Sequence, residues 1–487
     1  MTFHTEQWIA LLPILAVAGT AVVVMLAIAI RRNHWWNATL AVAGLNAALF
    51  WVAIVFYFYG GAQVVTPLLI VDGYALFYMA LILVLTNATA TLSHAYLEGL
   101  PGHKEEHYVL LVIAALGALV LACSNHFASF FLGIELLSLP LYGMAAYVYK
   151  DARSLEAGVK YLILSAAASG FLLFGMALVY SQLGTLGFGE MAQRLADSEG
   201  LANPYLLAGG ALMLCGVGFK LSVVPFHLWT PDVYEGAPAP VGAFLATVSK
   251  TAVFVVLLRW FVQGGAAKFA PLLDALSAIA IASILVGNVL ALMQSNIKRL
   301  LAYSSIAHFG YLLVALIASG EFAVEAVGVY LVTYAITVMG AFGVVALMSS
   351  PRGERDADTL PDYRGLFWKR PNLTAIMTAM MLSLAGIPVT AGFIGKFYVL
   401  AVGIDQRLWW LVGAVVLGSA IGLYYYLRVV VTMFLQDPAR RRFAAPDNWA
   451  YNVGGVMLVL VTAFMFVLGL YPEPVIALIR LSGLPLR

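Results

Sequence analysis

Charge is what this chain has least of. Only 10% of its 487 residues are Asp, Glu, Lys or Arg, where a soluble globular protein carries about 25%. Mean hydropathy is +0.94. So few charges cannot cover a water-soluble surface of this size, which excludes a cytosolic enzyme. Neither sign dominates: 26 basic residues face 24 acidic ones, for a formal net charge of +2. Without a basic stripe, nucleic-acid binding is excluded too. Cysteine is nearly absent. Cys123 and Cys215 lie far apart and form no CxxC, which leaves no ligand set for a zinc site, an iron–sulfur cluster or a disulfide framework. The period-2 alternation of a membrane β-barrel is missing. So is a Gly-rich nucleotide loop. The first apolar run has neither a basic n-region nor a small-residue cleavage pattern, so it is expected to be a retained span, not a signal peptide.

What is present is hydrophobic sequence, 63% of the total. A hydrocarbon core of about 30 Å takes roughly 20 apolar residues per helix. Apolar runs between polar breaks predict an all-α polytopic membrane protein of about fourteen spans. These are 7–30, 36–59, 74–97, 108–123, 127–149, 156–181, 205–228, 240–262, 271–293, 300–318, 326–349, 372–400, 408–435 and 450–471. Loop Lys and Arg set the orientation. With the N-terminus outside, the inner loops hold fifteen basic residues, among them Arg31, Lys104, Arg153, Lys298, Arg299, Arg352, Arg355, Arg440, Arg441 and Arg442. The outer loops and tail hold five: Arg194, Lys268, Arg407, Arg480 and Arg487. An even number of spans then puts both termini outside. The short tail after Tyr471 is amphipathic and is expected to lie along the outer surface.

Six basic residues fall inside or at the ends of spans, and the middle of a membrane is a costly place for charge, at about 2.5–3.5 kcal/mol on insertion scales. Four groups stand out: Glu135 in span 5, Lys220 in span 7, Lys250 in span 8 and Lys396 in span 12. A structural ion pair or a snorkelling lysine explains any one of them. Four such costs without a return point to a buried ionisable path. Lys160 follows Glu156 by four residues, the order of a helical salt bridge, and is either that or a relay. His308 is either a satisfied core histidine or a proton relay with a pKa near 6.5. Arg259 and Arg428 lie toward span ends and are expected to snorkel.

Helix breakers sit beside these charges. Pro225 follows Lys220, Gly386 and Pro388 precede Lys396, and Pro140 frees the carbonyl of Leu136 next to Glu135. In lipid such breaks persist only where protein or water satisfies the freed backbone groups. The broken, lysine-bearing spans are 7 and 12. Glu135 and His308 are on spans 5 and 10. A five-span offset inverts the second unit, so two inverted repeats are expected, spans 4–8 and 9–13, with spans 7 and 12 discontinuous. The expected divisions are residues 1–107 (spans 1–3), 108–262 (first repeat), 263–435 (second repeat) and 436–487 (span 14 and tail).

At these residues the sequence resembles a known family. The stretch from Phe219 through Pro225-Phe226-His227-Leu228-Trp229-Thr230-Pro231 to Pro240 is similar to a signature of the antiporter-like subunits of respiratory complex I, bacterial NADH-quinone oxidoreductase. So are Asn296-Ile297-Lys298-Arg299-Leu300-Leu301-Ala302-Tyr303-Ser304-Ser305 and Gly422-Leu423-Tyr424-Tyr425-Tyr426-Leu427-Arg428. Three features separate it from siblings in that family. Asn296 stands where the larger subunits carry an acid before Lys-Arg, Lys396 stands where one sibling has a glutamate, and the 16 residues after Tyr471 are not expected to form the long lateral helix of another sibling. The resemblance implies that Glu135, Lys220, Lys250 and Lys396 form a proton path. It also implies a bacterial inner-membrane location with periplasmic termini, and neighbouring antiporter-like and small membrane-arm subunits as partners. FMN, iron–sulfur clusters and quinone are expected in partner subunits, and no cofactor in this chain.

The physical logic agrees with that reading. Burial disfavours the charged form of a group and an opposite charge nearby restores it. Glu135 and Lys220 are therefore expected to form a breakable pair. Lys220 passes its proton to Lys250 when the acid withdraws, and the proton travels by way of His308 to Lys396. A subunit of a multi-subunit cation/proton antiporter and a purely structural membrane subunit are the alternatives.

Overall fold

The computed structural model describes residues 4–58, 63–100, 102–197, 203–349, 356–436 and 453–484. Arg352, Arg355, Arg440, Arg441, Arg442 and Arg487, which entered the orientation count, lie outside them. A segment in hydrocarbon has to satisfy its own backbone groups, and long apolar runs do so as helices. The chain runs α1 (Thr5–Ile30), α2 (His34–Phe58), a short antiparallel hairpin (Gln63–Thr66 with Leu69–Val71), α3 (Gly73–Glu98), α4 (Glu106–Ala122), α5 (Phe127–Ala145) and α6 (Ala152–Leu183). Beyond these lie α7 (Phe188–Asp197), α8 (Pro204–Leu221), α9 (Trp229–Gly236), α10 (Ala239–Phe244) and α11 (Lys250–Gln263). A π turn at Leu245–Ser249 joins α10 to α11. Next come α12 (Ala270–Leu292), α13 (Ile297–Ala318), α14 (Glu321–Ser349), α15 (Leu360–Tyr363), α16 (Pro371–Ala385), α17 (Ala391–Asp405), α18 (Trp409–Phe434), α19 (Val453–Leu470) and α20 (Glu473–Leu481).

Among the described residues eleven helices are long and apolar enough to cross a membrane. The shorter α4 and the α16–α17 and α19–α20 pairs account for the other predicted spans. Polar caps start several helices: Asp72 accepts from Ala75 N at 2.8 Å, and Asn296 from Arg299 N at 3.0 Å. The continuous helix from Ala239 to Gln263 and α14 are buried along their length, and α13 nearly so. These helices form the centre, and α1, α2, α6, α12 and α18 form the more exposed rim.

Two packing motifs recur. Helix α4 lies on α5 as α12 lies on α13, and α6 lies on α8 as α14 lies on α16 and α17. The α6–α8 contact is close because both sides are glycine. A Cβ on Gly175 would meet Gly209 O at 2.6 Å, the small-residue packing of membrane helices. Both expected breaks are present. Helix α8 ends with left-handed Ser222 (φ 62°) before Pro225, and α16 ends with left-handed Gly386 (φ 85°) before Pro388. The expected break at Pro140 is absent: α5 runs through it. A single missing N–H leaves one carbonyl free, which a packed membrane helix tolerates. The tail helix α20 turns 85° from α19. It seats Ile476 and Ile479 near Val329 and pairs Arg480 with Glu325 at 2.8 and 2.9 Å.

Candidate functional site

Lys220 lies in the last turn of α8, two residues before the break. Its Nζ donates to Ser138 Oγ on α5 and Ser165 Oγ on α6, both at 2.6 Å. Tyr142 OH donates to the same Ser165 at 2.7 Å. Glu135 accepts from Ser169 Oγ at 2.5 Å. The expected direct pair of Glu135 and Lys220 is therefore not formed, and among the described residues no ion pair joins them. Serines hold each group instead. Ser138 is one turn from Glu135 on α5, and Ser165 is one turn from Ser169 on α6, so acid and lysine share the same two helix faces. The break is fixed by aromatic packing: Trp229 stacks on Tyr161 and Phe219 with ring centres 4.8 and 5.1 Å apart, and its Nε1 donates to Phe219 O at 3.0 Å.

Lys250 opens α11 directly after the π turn. A π turn inserts a residue into the helical register and re-aims the side chains beyond it. Lys250 is 1% exposed. Its Nζ donates to Ser305 Oγ at 2.7 Å and lies 4.9 Å from the centre of the Phe309 ring. Tyr334 OH donates to the same serine at 2.7 Å.

Lys396 lies on α17, just past the second break. Its Nζ donates to Ala385 O at 2.8 Å, one of the carbonyls that the end of α16 leaves free. Gly386 makes this possible, because a Cβ there would meet Lys396 Cδ at 2.8 Å. The ammonium is 5.6 Å from the Tyr311 ring centre. His308 is 5% exposed and uses both ring nitrogens, Nδ1 to Tyr330 OH at 2.7 Å and Nε2 to Tyr426 OH at 3.1 Å. Tyr426 in turn bonds Ser304. A second chain of hydrogen bonds runs alongside: Tyr425 OH donates to Asn288 Oδ1 at 2.9 Å, and Asn288 Nδ2 donates to Tyr311 OH at 3.0 Å.

Lys160 is in a surface network, apart from the buried lysines. It meets Glu156 at 2.5 Å and Asp232 at 2.9 Å. Arg299 pairs with Asp232 at 2.7 Å and Glu235 at 2.9 Å. Burial alone would raise the Asp232 carboxyl, but hydrogen bonds from Lys160 and Arg299 hold it below its usual range. A polar cavity of about 170 Å³, lined in part by Arg153, Glu156, Asp232 and Glu235, opens here at the end that carries the basic loops. One expectation is corrected. Arg259 does not snorkel: it is fully buried and grips Asp72 with two hydrogen bonds of 2.7 and 2.8 Å. Arg428 reaches the end of α12, donating to Leu292 O at 2.9 Å and to Gln294 O just beyond it.

Sequence reasoning missed Ser138, Ser165, Ser169, Ser305 and the tyrosines around His308. Ser305 and Tyr426 stand inside the motifs quoted above, but no role was read from them; for the others the signal was polar side chains on the buried faces of α5, α6, α13 and α14, which needed the helix crossings to become informative.

Known proteins share this arrangement of helices. A family model described as NADH:quinone oxidoreductase/Mrp antiporter, transmembrane, matches residues 124–422. The chain is similar to one in the structure of Thermus thermophilus respiratory complex I with bound aureothin (32% identity, TM-score 0.81), covering 96% of this chain and 98% of that one. It shares its fold with a chain of an archaeal membrane-bound sulfane sulfur reductase (24% identity, TM-score 0.85), over 98% of this chain and 97% of that one. It likewise shares it with a chain of the Mrp complex from Dietzia sp. (19% identity, TM-score 0.84), over 98% and 96%.

Proposed function

The chain belongs to the NADH:quinone oxidoreductase/Mrp antiporter membrane family, and on that premise we propose that it is subunit N of a bacterial complex I and moves protons. The observation that carries this reading is chemical. Lys220, Lys250 and Lys396 are 5%, 1% and 7% exposed, and among the described residues none has a carboxylate within ion-pair distance. Each is held by hydroxyls or a carbonyl. A buried ammonium without a counter-charge readily gives up its proton, and hydroxyls both donate and accept.

Glu135 and the serines of α5 and α6 load Lys220. Lys250 takes the proton near the centre and hands it toward Ser305 and Tyr334. Tyr330, His308 and Tyr426 carry it to the region of Lys396. Moving a charge against 100 mV costs about 2.3 kcal/mol, and electron transfer from NADH to quinone supplies it through partner subunits that hold FMN and iron–sulfur clusters. Glu135 favours a neighbour on α5. It is only partly buried and lies between Leu132 and Leu139, each 60% exposed, so a membrane-arm subunit covers that face. The chain sits in the inner membrane with both termini periplasmic.

The test is Lys220→Met in the purified complex, reconstituted in proteoliposomes. Assembly and NADH oxidation are expected to survive while proton release falls to background. Undiminished release would sink the reading. Sodium-dependent transport without NADH oxidation would assign the chain to a cation/proton antiporter instead.

A further inference from the structure

The second break brings two helix ends together, and the start of a helix leaves backbone N–H groups without partners inside it. At α17 the residue placed to serve them is Thr390. Its hydroxyl does not cap the helix and donates backwards to Ile387 O at 2.7 Å. The Gly392 N–H goes instead to Ser383 Oγ on α16, at 3.0 Å. Ser383 thus does the work of an N-cap for a helix to which it does not belong. Gly392 permits the approach, because a Cβ there would overlap the Ser383 carbonyl.

The Ser383 hydroxyl is itself fixed. It lies 2.9 Å from Thr337 Oγ1 on α14, and Thr337 gives its own proton to Thr333 O at 2.7 Å. A threonine has one hydroxyl proton, so Ser383 is the donor to Thr337. The order runs one way, from Gly392 N–H through Ser383 and Thr337 to Thr333 O. Such a chain starts on an amide and ends on a carbonyl. Neither end titrates near neutral pH, so the chain holds position and carries no proton.

What it positions is Lys396. Gly392 is one turn before Lys396 on α17. Ser383 is two residues before Ala385, whose carbonyl takes the Lys396 ammonium at 2.8 Å. Ser383 and Thr337 are 0% and 1% exposed. Thr337 also stands one turn from Tyr334, which donates to the serine that holds Lys250. One stretch of α14 therefore reaches the supports of both lysines.

We propose that Ser383 is a positioning residue for proton transfer at Lys396. It locks the start of α17 to the end of α16 and keeps the Ala385 carbonyl within reach of the ammonium. The inference rests on the proton path proposed above, but the place of Lys396 can be read without transport.

The test compares wild type, Ser383→Ala, Thr337→Val and Thr337→Ser in the intact complex. Cryo-electron microscopy reads the place of Lys396, and proteoliposomes read proton release per NADH oxidised. Ser383→Ala removes the cap. It is expected to move Lys396 Nζ off Ala385 O and to lower release about fivefold, the scale of a lost N-cap. Thr337→Val keeps the shape and removes the acceptor. Ser383 then turns to a carbonyl of its own helix, and release is expected to fall about threefold. Thr337→Ser keeps the acceptor, and is expected to leave Lys396 in place and release within about twofold of wild type. A role in packing alone predicts the reverse order, valine normal and serine impaired, and that result overturns the proposal. So does Lys396 on Ala385 O in both Ser383→Ala and Thr337→Val, or wild-type release in both. If Ser383→Ala does not assemble, the Thr337 pair decides. Normal release in Lys220→Met, beside a displaced Lys396 in Ser383→Ala, would sink the proposed function and leave the cap standing.

Discussion

Helix α11 carries two buried cations, and it holds them in opposite ways. Arg259, toward one end, meets Asp72 in a bidentate pair, and the Tyr74 ring lies 4.8 Å from its guanidinium carbon. Asp72 is in turn the N-cap of α3, so the pair pins two helices together. Lys250, at the other end, has one serine and an aromatic face. A guanidinium cannot shed its proton in a protein, so burying it requires a permanent partner. An ammonium has a neutral form and can be buried without one. Lys298 belongs with Arg259: it is 1% exposed and bonded to Asp356 at 2.6 Å and Ala237 O at 2.7 Å. Lys220 and Lys396 belong with Lys250. In this chain a buried cation on a carboxylate marks architecture, and a buried cation on hydroxyls or a carbonyl marks the path we propose.

Exchanging the two kinds of cation attacks that distinction most strongly. Lys250→Arg places a permanent charge where no counter-ion waits among the described residues. Proton release by the reconstituted complex is expected to vanish, and the amount of assembled complex to fall. Normal release would erase the contrast. Arg259→Ala comes next. It strands Asp72 in the interior and is expected to cost about 3–5 kcal/mol of stability, seen as less chain in the membrane and a lower melting temperature. Proton release per remaining complex should stay normal, and Asp72→Leu with Arg259→Met should restore most of the stability. A loss of pumping equal to that of Lys220→Met, with assembly intact, would move Arg259 into the path.

Smaller effects sharpen the same comparison. Ser305→Ala removes the serine hydrogen bond on Lys250, worth about 1 kcal/mol, and should slow proton release several-fold. Ser305→Thr should restore it. At the basic-loop end, Asp232 is held below its usual range by Lys160 and Arg299. A lowered carboxylate pKa contributes stability that is fully present above its unfolded value near 4 and is lost as pH falls through the folded one. Asp232 is about a third exposed, so solvent screens the effect. Melting temperatures of wild type and Asp232→Asn should differ slightly at pH 7 and converge at acid pH. A difference that does not shrink as the pH falls below 4 would contradict this.

Much of the architecture was legible in the sequence because the bilayer imposes a length on each helix and a cost on each charge. Glu135, Lys220, Lys250 and Lys396 were visible for that reason, and so were the breaks at Pro225, Gly386 and Pro388. What was not legible depends on helix crossings. Arg259 looked like a snorkelling residue because Asp72 is 187 positions away. Ser138 and Ser165 looked like ordinary membrane serines until α5, α6 and α8 brought them to one ammonium. Pro140 looked like a break because its local chemistry is that of Pro388, but only the latter follows a left-handed glycine. The π turn before Lys250 leaves no mark in the residues Leu245–Ser249.

Lys250 reaches from α11 to Ser305 on α13 and is held there by a neutral hydroxyl. The direct measurement is proton release per NADH oxidised by the complex in sealed proteoliposomes, wild type against Lys250→Met, normalised to assembled complex. Release at background, with unchanged melting temperature and subunit content, is the expected result. Release equal to wild type would contradict it.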